Sequence, residues 1–245
     1  MKSLLLLSII IFTTCQLIAQ TEYYVSNIKG NVQRVTIYGV QFKESKGVVR
    51  LLDPQKSGLC WVYSYNEKGF LDTTFVKNSD HSIWVYSVDF YAQNNKVDSS
   101  QTFEPDNKLI QTIYYSYNHN ITIEQVYENH ELLEQIESTY DESGQLKSVV
   151  QKMDDVLISR INRFNKRSQI VSSQYYSNDS KDTVTTTFDY NDHSEIIHSL
   201  ETTPCEVSIS TDFKYEYDDK NNWVTMYIYE GNQLQKVLKR EIQYY

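Results

Sequence analysis

Tyr140-Asp141-Glu142-Ser143-Gly144-Gln145-Leu146 is the stretch whose chemistry decides the fold. The Asp141 side chain can cap a turn by accepting backbone N–H groups a few residues on. Gly144, three residues later, takes the positive φ that other residues resist. Leu146 then returns the chain to the apolar face that Tyr140 opened, as a cross-strand partner does. The segment has the chemistry of a β-hairpin tip.

The same tip recurs along the chain. Tyr65-Asn66-Glu67-Lys68-Gly69-Phe70-Leu71 and Tyr217-Asp218-Asp219-Lys220-Asn221-Asn222-Trp223 are clear copies. Looser ones begin at Phe103, Phe164 and Tyr190, and shorter turns at Tyr127 and Tyr229. The starts fall on a unit of about 24–27 residues, often with a second turn halfway, which is a hairpin repeat. Asn outnumbers Gly 17 to 7, so many left-handed positions fall to Asn.

Between the tips the chain alternates as half-buried strands do. Phe213, Tyr215 and Tyr217 alternate with Asp212, Lys214 and Glu216; Val184, Thr186, Phe188 and Tyr190 alternate with Thr185, Thr187 and Asp189. Ile121, Ile123 and Tyr127 share a parity, as do Leu234, Leu238, Ile242 and Tyr244. Residues 128–138 have helical propensity as well, but the repeat register assigns them to a strand. The expected fold is all-β: an antiparallel sheet of tandem hairpins, strongly twisted, able to curl into a barrel or half-barrel. Closure would remove the exposed edges that invite aggregation.

Residues 1–19 read as a secretory signal, with Lys2 ahead of the apolar run Leu4–Phe12 and a cut at Ala19-Gln20. A lipid-attachment signal at Cys15 is the alternative; Phe12 and Thr14 stand where such signals carry Leu and a small residue. No later stretch is long or apolar enough to cross a membrane. Residues 20–60 fit the repeat poorly and are expected to form an N-terminal capping region, with a loop around Asp53-Pro54; residues 61–245 form the repeat domain. The expected localisation is periplasmic, outer-membrane-associated or extracellular.

The formal charge is −9, and −10 once Lys2 is removed with the signal. An acidic surface disfavours nucleic acid and anionic membranes as partners. Cys60 and Cys205 remain after the signal, and an oxidising compartment permits either a bridge or two buried thiols.

The copy at 140–146 resembles the Y-D-x-x-G-x-L core of the YD repeats in Rhs-type surface proteins. The C-terminal stretch Tyr215-Glu216-Tyr217-Asp218 through Trp223, with Glu241-Ile242-Gln243-Tyr244-Tyr245, is similar to small exported YD-like proteins of Bacteroidota. The resemblance covers roughly residues 60–245. It implies a continuous antiparallel sheet and export. The shell that large Rhs proteins build around a toxin does not carry over to so short a chain.

Tyrosine, at 21 copies, is the most suggestive residue for function. Rings on an exposed sheet face can stack on sugars, and cross-strand tyrosine ladders are the structural alternative. In the adjacent pairs Tyr23-Tyr24, Tyr114-Tyr115, Tyr175-Tyr176 and Tyr244-Tyr245 the two rings must point to opposite faces. The candidate ligand-binding residues are Tyr114, Tyr115, Tyr175, Tyr176, Trp61, Trp84 and Trp223. The five histidines, His81, His119, His130, His193 and His198, lie mostly in or beside turns without metal-ligand spacing, and Asp154-Asp155 and Asp218-Asp219 supply too few oxygens for calcium. No nucleophile elbow, metalloprotease helix or phosphate loop is present. A non-catalytic binding protein for a glycan or an envelope protein, with no cofactor, is the leading expectation. A carrier with an apolar lumen and a glycan hydrolase follow it.

Overall fold

The computed structural model describes residues 28–45, 48–52, 59–180, 182–205 and 208–245. The signal segment, Cys15, Tyr23-Tyr24 and Asp53-Pro54 lie outside the described residues.

Strand β1 (Val32–Gly39) runs from an upper rim to a lower one, followed by a separate hairpin, β2 (Phe42–Ser45) and β3 (Val48–Leu51). The chain then meanders through β4 (Cys60–Tyr65), β5 (Leu71–Lys77), β6 (Ile83–Tyr91), β7 (Val97–Phe103) and β8 (Leu109–Asn118). It goes on through β9 (Ile121–Glu128), β10 (Glu131–Tyr140), β11 (Leu146–Met153), β12 (Val156–Phe164) and β13 (Ile170–Ser177). The last strands are β14 (Thr183–Tyr190), β15 (Ile196–Thr202), β16 (Ser208–Tyr217), β17 (Trp223–Glu230) and β18 (Gln233–Tyr244). From β4 on, each strand pairs antiparallel with the next. Strand β1 sits between β18 and β4 and closes a barrel of 16 strands. At the seam Thr36 faces Glu241 on one side and Val62 on the other. The region 20–60 thus gives the barrel one of its strands as well as the β2–β3 hairpin. Residues 131–140 are strand, as the repeat register required.

The tips turn by the expected mechanism. Asp141 Oδ1 accepts the N–H groups of Ser143 (2.8 Å) and Gln145 (3.0 Å), and Gly144 has φ 80°. The Ser143 hydroxyl and the Gln145 amide hold the Asp141 carboxyl below the ordinary carboxylate range. Asn66, Asn165, Asn191 and Asp218 bind the same two amides, and Gly69, Ser168, Ser194 and Asn221 take the positive φ. The tips led by Asn78, Ala92 and Glu104 repeat the backbone bonds, with positive φ at His81, Asn95 and Asn107. Left-handed positions therefore fall to Ser and His as well as to Gly and Asn.

The repeat is one ascending and one descending strand. Its true phase is set by the aromatics at the upper ends of the ascending strands: Tyr65, Tyr91, Tyr117, Tyr140, Phe164, Tyr190, Tyr217 and Tyr244. The turns that begin at Phe103, Tyr127 and Tyr229 belong to the opposite rim. Hydroxyls strap successive units together: Tyr91 donates to the Leu71 carbonyl (2.6 Å), Tyr117 to Val97 (2.8 Å), Tyr190 to Ile170 (2.8 Å) and Tyr215 to Ile196 (2.7 Å).

Two faces alternate around the wall. Val35, Ser100, Val126, Glu134, Ile158 and Met226 share one face by register and are all buried. Trp84, Phe90, Tyr114, Ile161, Tyr176 and Leu200 share the other and are exposed. A closed wall shields its concave side, so the first set faces inward and the second outward. Val35, Ile37, Tyr63, Trp223, Met226 and Leu238 form the inner core beside the seam. A second cluster, Val40, Leu234 and Val237, lies under Phe42, Val49 and Leu51 of the β2–β3 hairpin. Leu234 therefore does not share a face with Leu238, contrary to the plain alternation. Ile228 pairs with Lys236 but Tyr229 with Leu234, and the bulge at Gln235 turns Leu234 to the other side.

Candidate functional site

Strand β6 reads Ile83-Trp84-Val85-Tyr86-Ser87-Val88-Asp89-Phe90-Tyr91. Alternation sends Tyr86, Val88 and Phe90 outward and turns Ser87 and Asp89 inward; Trp84 is the extra residue where Val76 pairs with Val85 and Lys77 with Ile83, and its side chain is exposed. Phe75 of β5 and Phe103 of β7 flank Tyr86 in register. Their rings lie 6.0 Å and 5.1 Å from the Tyr86 ring, the second pair stacked. The Tyr86 hydroxyl donates to Asn107 Oδ1 at 2.6 Å and fixes that ring. Higher on the wall, Phe90 faces Ser99 and Ser99 faces Tyr114. Tyr114 meets Tyr127 edge-on at 5.7 Å. Trp84 is 38 %, Phe90 45 % and Tyr114 52 % exposed. Ser99 keeps the Phe90 and Tyr114 backbones two strand spacings apart, roughly 9.6 Å. The result is a shallow, aromatic-sided trough with a hydroxyl floor, and Gln101 and Gln125 beside it.

Of the seven residues singled out from sequence, Tyr114 flanks this trough, and Trp84 is exposed about six residues lower on β6 than Phe90. Tyr115 points inward from the same strand as Tyr114. Tyr176, 37 % exposed, faces outward on β13, well around the ring, while Tyr175 faces inward and burial pushes its hydroxyl pKa up. Tyr245 is exposed and Tyr244 half-buried, so each described pair divides between the faces. Trp61 lies on the concave side at the lower rim. Trp223 is 1 % exposed beneath the Arg240 guanidinium, which lies 4.0 Å from its ring and donates from Nε to its carbonyl at 2.8 Å. Burial lowers the Arg240 pKa to about 10. Trp61, Tyr115, Tyr175 and Trp223 therefore do not share the exposed outer face of Trp84 and Tyr114. Phe75, Tyr86, Phe90 and Phe103 do; the alternation along β6 carried that signal for Tyr86 and Phe90.

The concave face is polar over much of the ring. Asp89 takes a hydrogen bond from Ser100, yet burial, with Asp72 nearby, holds its pKa up. Burial likewise raises Glu134 despite its hydrogen bond from Gln151. His198 Nδ1 lies 2.8 Å from Asp212 Oδ1 on the convex side. Among the described residues no three of His, Cys, Asp and Glu come together to hold a metal, and Cys60 and Cys205 are both free thiols. No described helix is long and apolar enough to cross a membrane, which does not bear on strands.

Fold and surface together define a closed antiparallel β-barrel with an aromatic outer face. No family model and no curated protein matches the chain. Among solved structures, it is similar to a porin-like protein from Bacteroides uniformis, at 10 % identity and a TM-score of 0.39, over 86 % of this chain and 96 % of that one. A porin-like protein from Bacteroides vulgatus has 10 % identity and a TM-score of 0.36, over 89 % and 99 %. A TcdB2-TccC3 structure without its hypervariable C-terminal region has 11 % identity and 0.36, over 84 % of this chain and 14 % of that one. Likeness at this level assigns no activity.

Proposed function

We propose that the chain is a non-catalytic, extracytoplasmic binding protein that holds a glycan on the convex face of β5–β8. The observation that carries this reading is the trough itself: exposed Phe90 and Tyr114 flank Ser99 with glutamines alongside, and exposed Trp84 lies lower on β6, beyond Tyr86. Sugar rings pair an apolar face with a rim of hydroxyls. Stacked aromatics and nearby amides match both parts. Asp89 and Glu134, whose carboxyl pKa burial raises, face the other way, toward the concave side. The polar concave side also suits an apolar cargo poorly. Export is read from residues 1–19, and the repeat kinship from the Y-D-x-x-G-x-L tip.

The same reading places the barrel in water. Lys214 and Lys239 stand on the convex side in the middle of β16 and β18. At a bilayer mid-plane each would cost about 2–4 kcal/mol.

The test is a panel of soluble envelope and plant polysaccharides, titrated by calorimetry and by tryptophan fluorescence. At least one is expected to bind, and the Phe90→Ala/Tyr114→Ala double variant is expected to lose about tenfold or more in affinity. A panel without a binder, or a double variant that binds as well as the parent, overturns the proposal. Capture of an envelope protein on this face in place of a glycan also overturns it.

A further inference from the structure

A second concavity lies at the lower rim, where the end of β1, β18 and Trp61 of β4 meet the β2–β3 hairpin. Its volume is about 610 Å³, within the range of small-molecule sites. The chain builds it by leaving the barrel after Gly39: the backbone turns outward, Val40 N–H donates to the Val237 carbonyl at 2.8 Å, and the β2–β3 hairpin folds back over the wall. Phe42, Leu52, Leu59 and Trp61 supply apolar walls, and Lys43 and Lys236 stand in the same lining. No Asp or Glu lines it among the described residues. In a chain of net charge −9 that is a local reversal of sign.

We infer that this concavity binds a small anionic amphiphile, its acyl or aryl part against Phe42, Leu59 and Trp61 and its carboxylate or sulfonate between Lys43 and Lys236. The charge pattern decides the class. A neutral apolar ligand would leave two ammonium groups beside it without use, and a cationic amphiphile would meet them head-on. Partial burial of Lys236 lowers its pKa, and a bound anion would reverse that effect by favouring the charged amine. The site is separate from the glycan trough, so either can fail without the other.

Dodecanoate is the probe, titrated into the full chain by calorimetry, with dodecanol and dodecyltrimethylammonium as head-group controls. Saturable binding is expected for dodecanoate, with both controls weaker by about tenfold or more. Lys43→Gln/Lys236→Gln should remove that preference while leaving the thermal transition in place, since both lysines are solvent-accessible. Trp61→Phe should keep binding but shrink the accompanying change in tryptophan emission. Absence of saturable binding, equal binding of the ammonium amphiphile, or an unchanged head-group preference in the double lysine variant overturns the inference. A Phe90→Ala/Tyr114→Ala protein should bind dodecanoate as the parent does; loss there would relocate the site to the outer face and also overturn it.

Discussion

At the level of single residues, the tips show how one geometry is reached by several chemistries. Asn191 Oδ1 accepts two backbone amides, from His193 at 2.9 Å and Glu195 at 3.0 Å. Asn191→Ala should therefore lower stability by about 1–2 kcal/mol, read from urea denaturation. Ser194 at φ 68° occupies a position that Gly144 fills in the sister tip. Ser194→Gly should stabilise by about 0.5–1 kcal/mol, the left-handed penalty less the extra chain entropy of glycine. Asp89 supplies a pH test. Its folded pKa is raised, mainly by burial. The folded state thus binds the proton more tightly than the unfolded one, and stability is lost as pH rises from the ordinary carboxylate range through the folded pKa. Asp89→Asn should melt above the parent at pH 7 and converge with it near pH 4, about the ordinary Asp value; a constant gap across that window would contradict the assignment. The Asp/Asn caps and the glycine positions were legible in the sequence because they act locally. Ser168, Ser194 and His81 as left-handed residues were not, because the register of the neighbouring strands imposes φ there against their own preference.

Among the elements, alternation made strands easy to recognise and their phase harder. The tip at Tyr91 carries Ala92 where Asp or Asn is diagnostic, and Asn94 caps Lys96 N–H instead, at 3.1 Å. That substitution hid a copy of the unit. The bulge at Gln235 is equally silent in sequence: an extra residue in one strand shows itself in its partner's register. The straps between units offer a test. Tyr190→Phe deletes the hydroxyl bonded to the Ile170 carbonyl and should cost about 1 kcal/mol, with no change in far-ultraviolet dichroism. The inner core is less tolerant. Met226 is fully buried among Ile37, Tyr215 and Leu238, so Met226→Ala should cost about 2–5 kcal/mol. The proposed binding face was half legible. Trp84 and Tyr114 stood out as large aromatics, but which of the paired rings converge depends on how the sheet curls, a property of the closed ring and not of any one strand.

For the molecule as a whole, closure is the defining act. Asn222, 1 % exposed, donates to the Lys29 carbonyl at 3.0 Å and to the Tyr244 hydroxyl at 2.8 Å, and accepts from Lys29 N–H at 2.7 Å. It ties the tip after β16 to both sides of the seam. Asn222→Ala should cost about 3 kcal/mol by leaving buried groups unpaired, and hydrogen exchange should quicken first in β1 and β18. The position of β1 also has a kinetic consequence. One of its neighbours, β4, is made soon after it, while the other, β18, is the last strand of the ring to be synthesised. Until residues 233–244 arrive, a nascent chain carries a sheet with two unsatisfied borders, each a template for the wrong partner. Maturation should accordingly be slow and concentration-sensitive, with a holdase-dependent lag before the last strand docks.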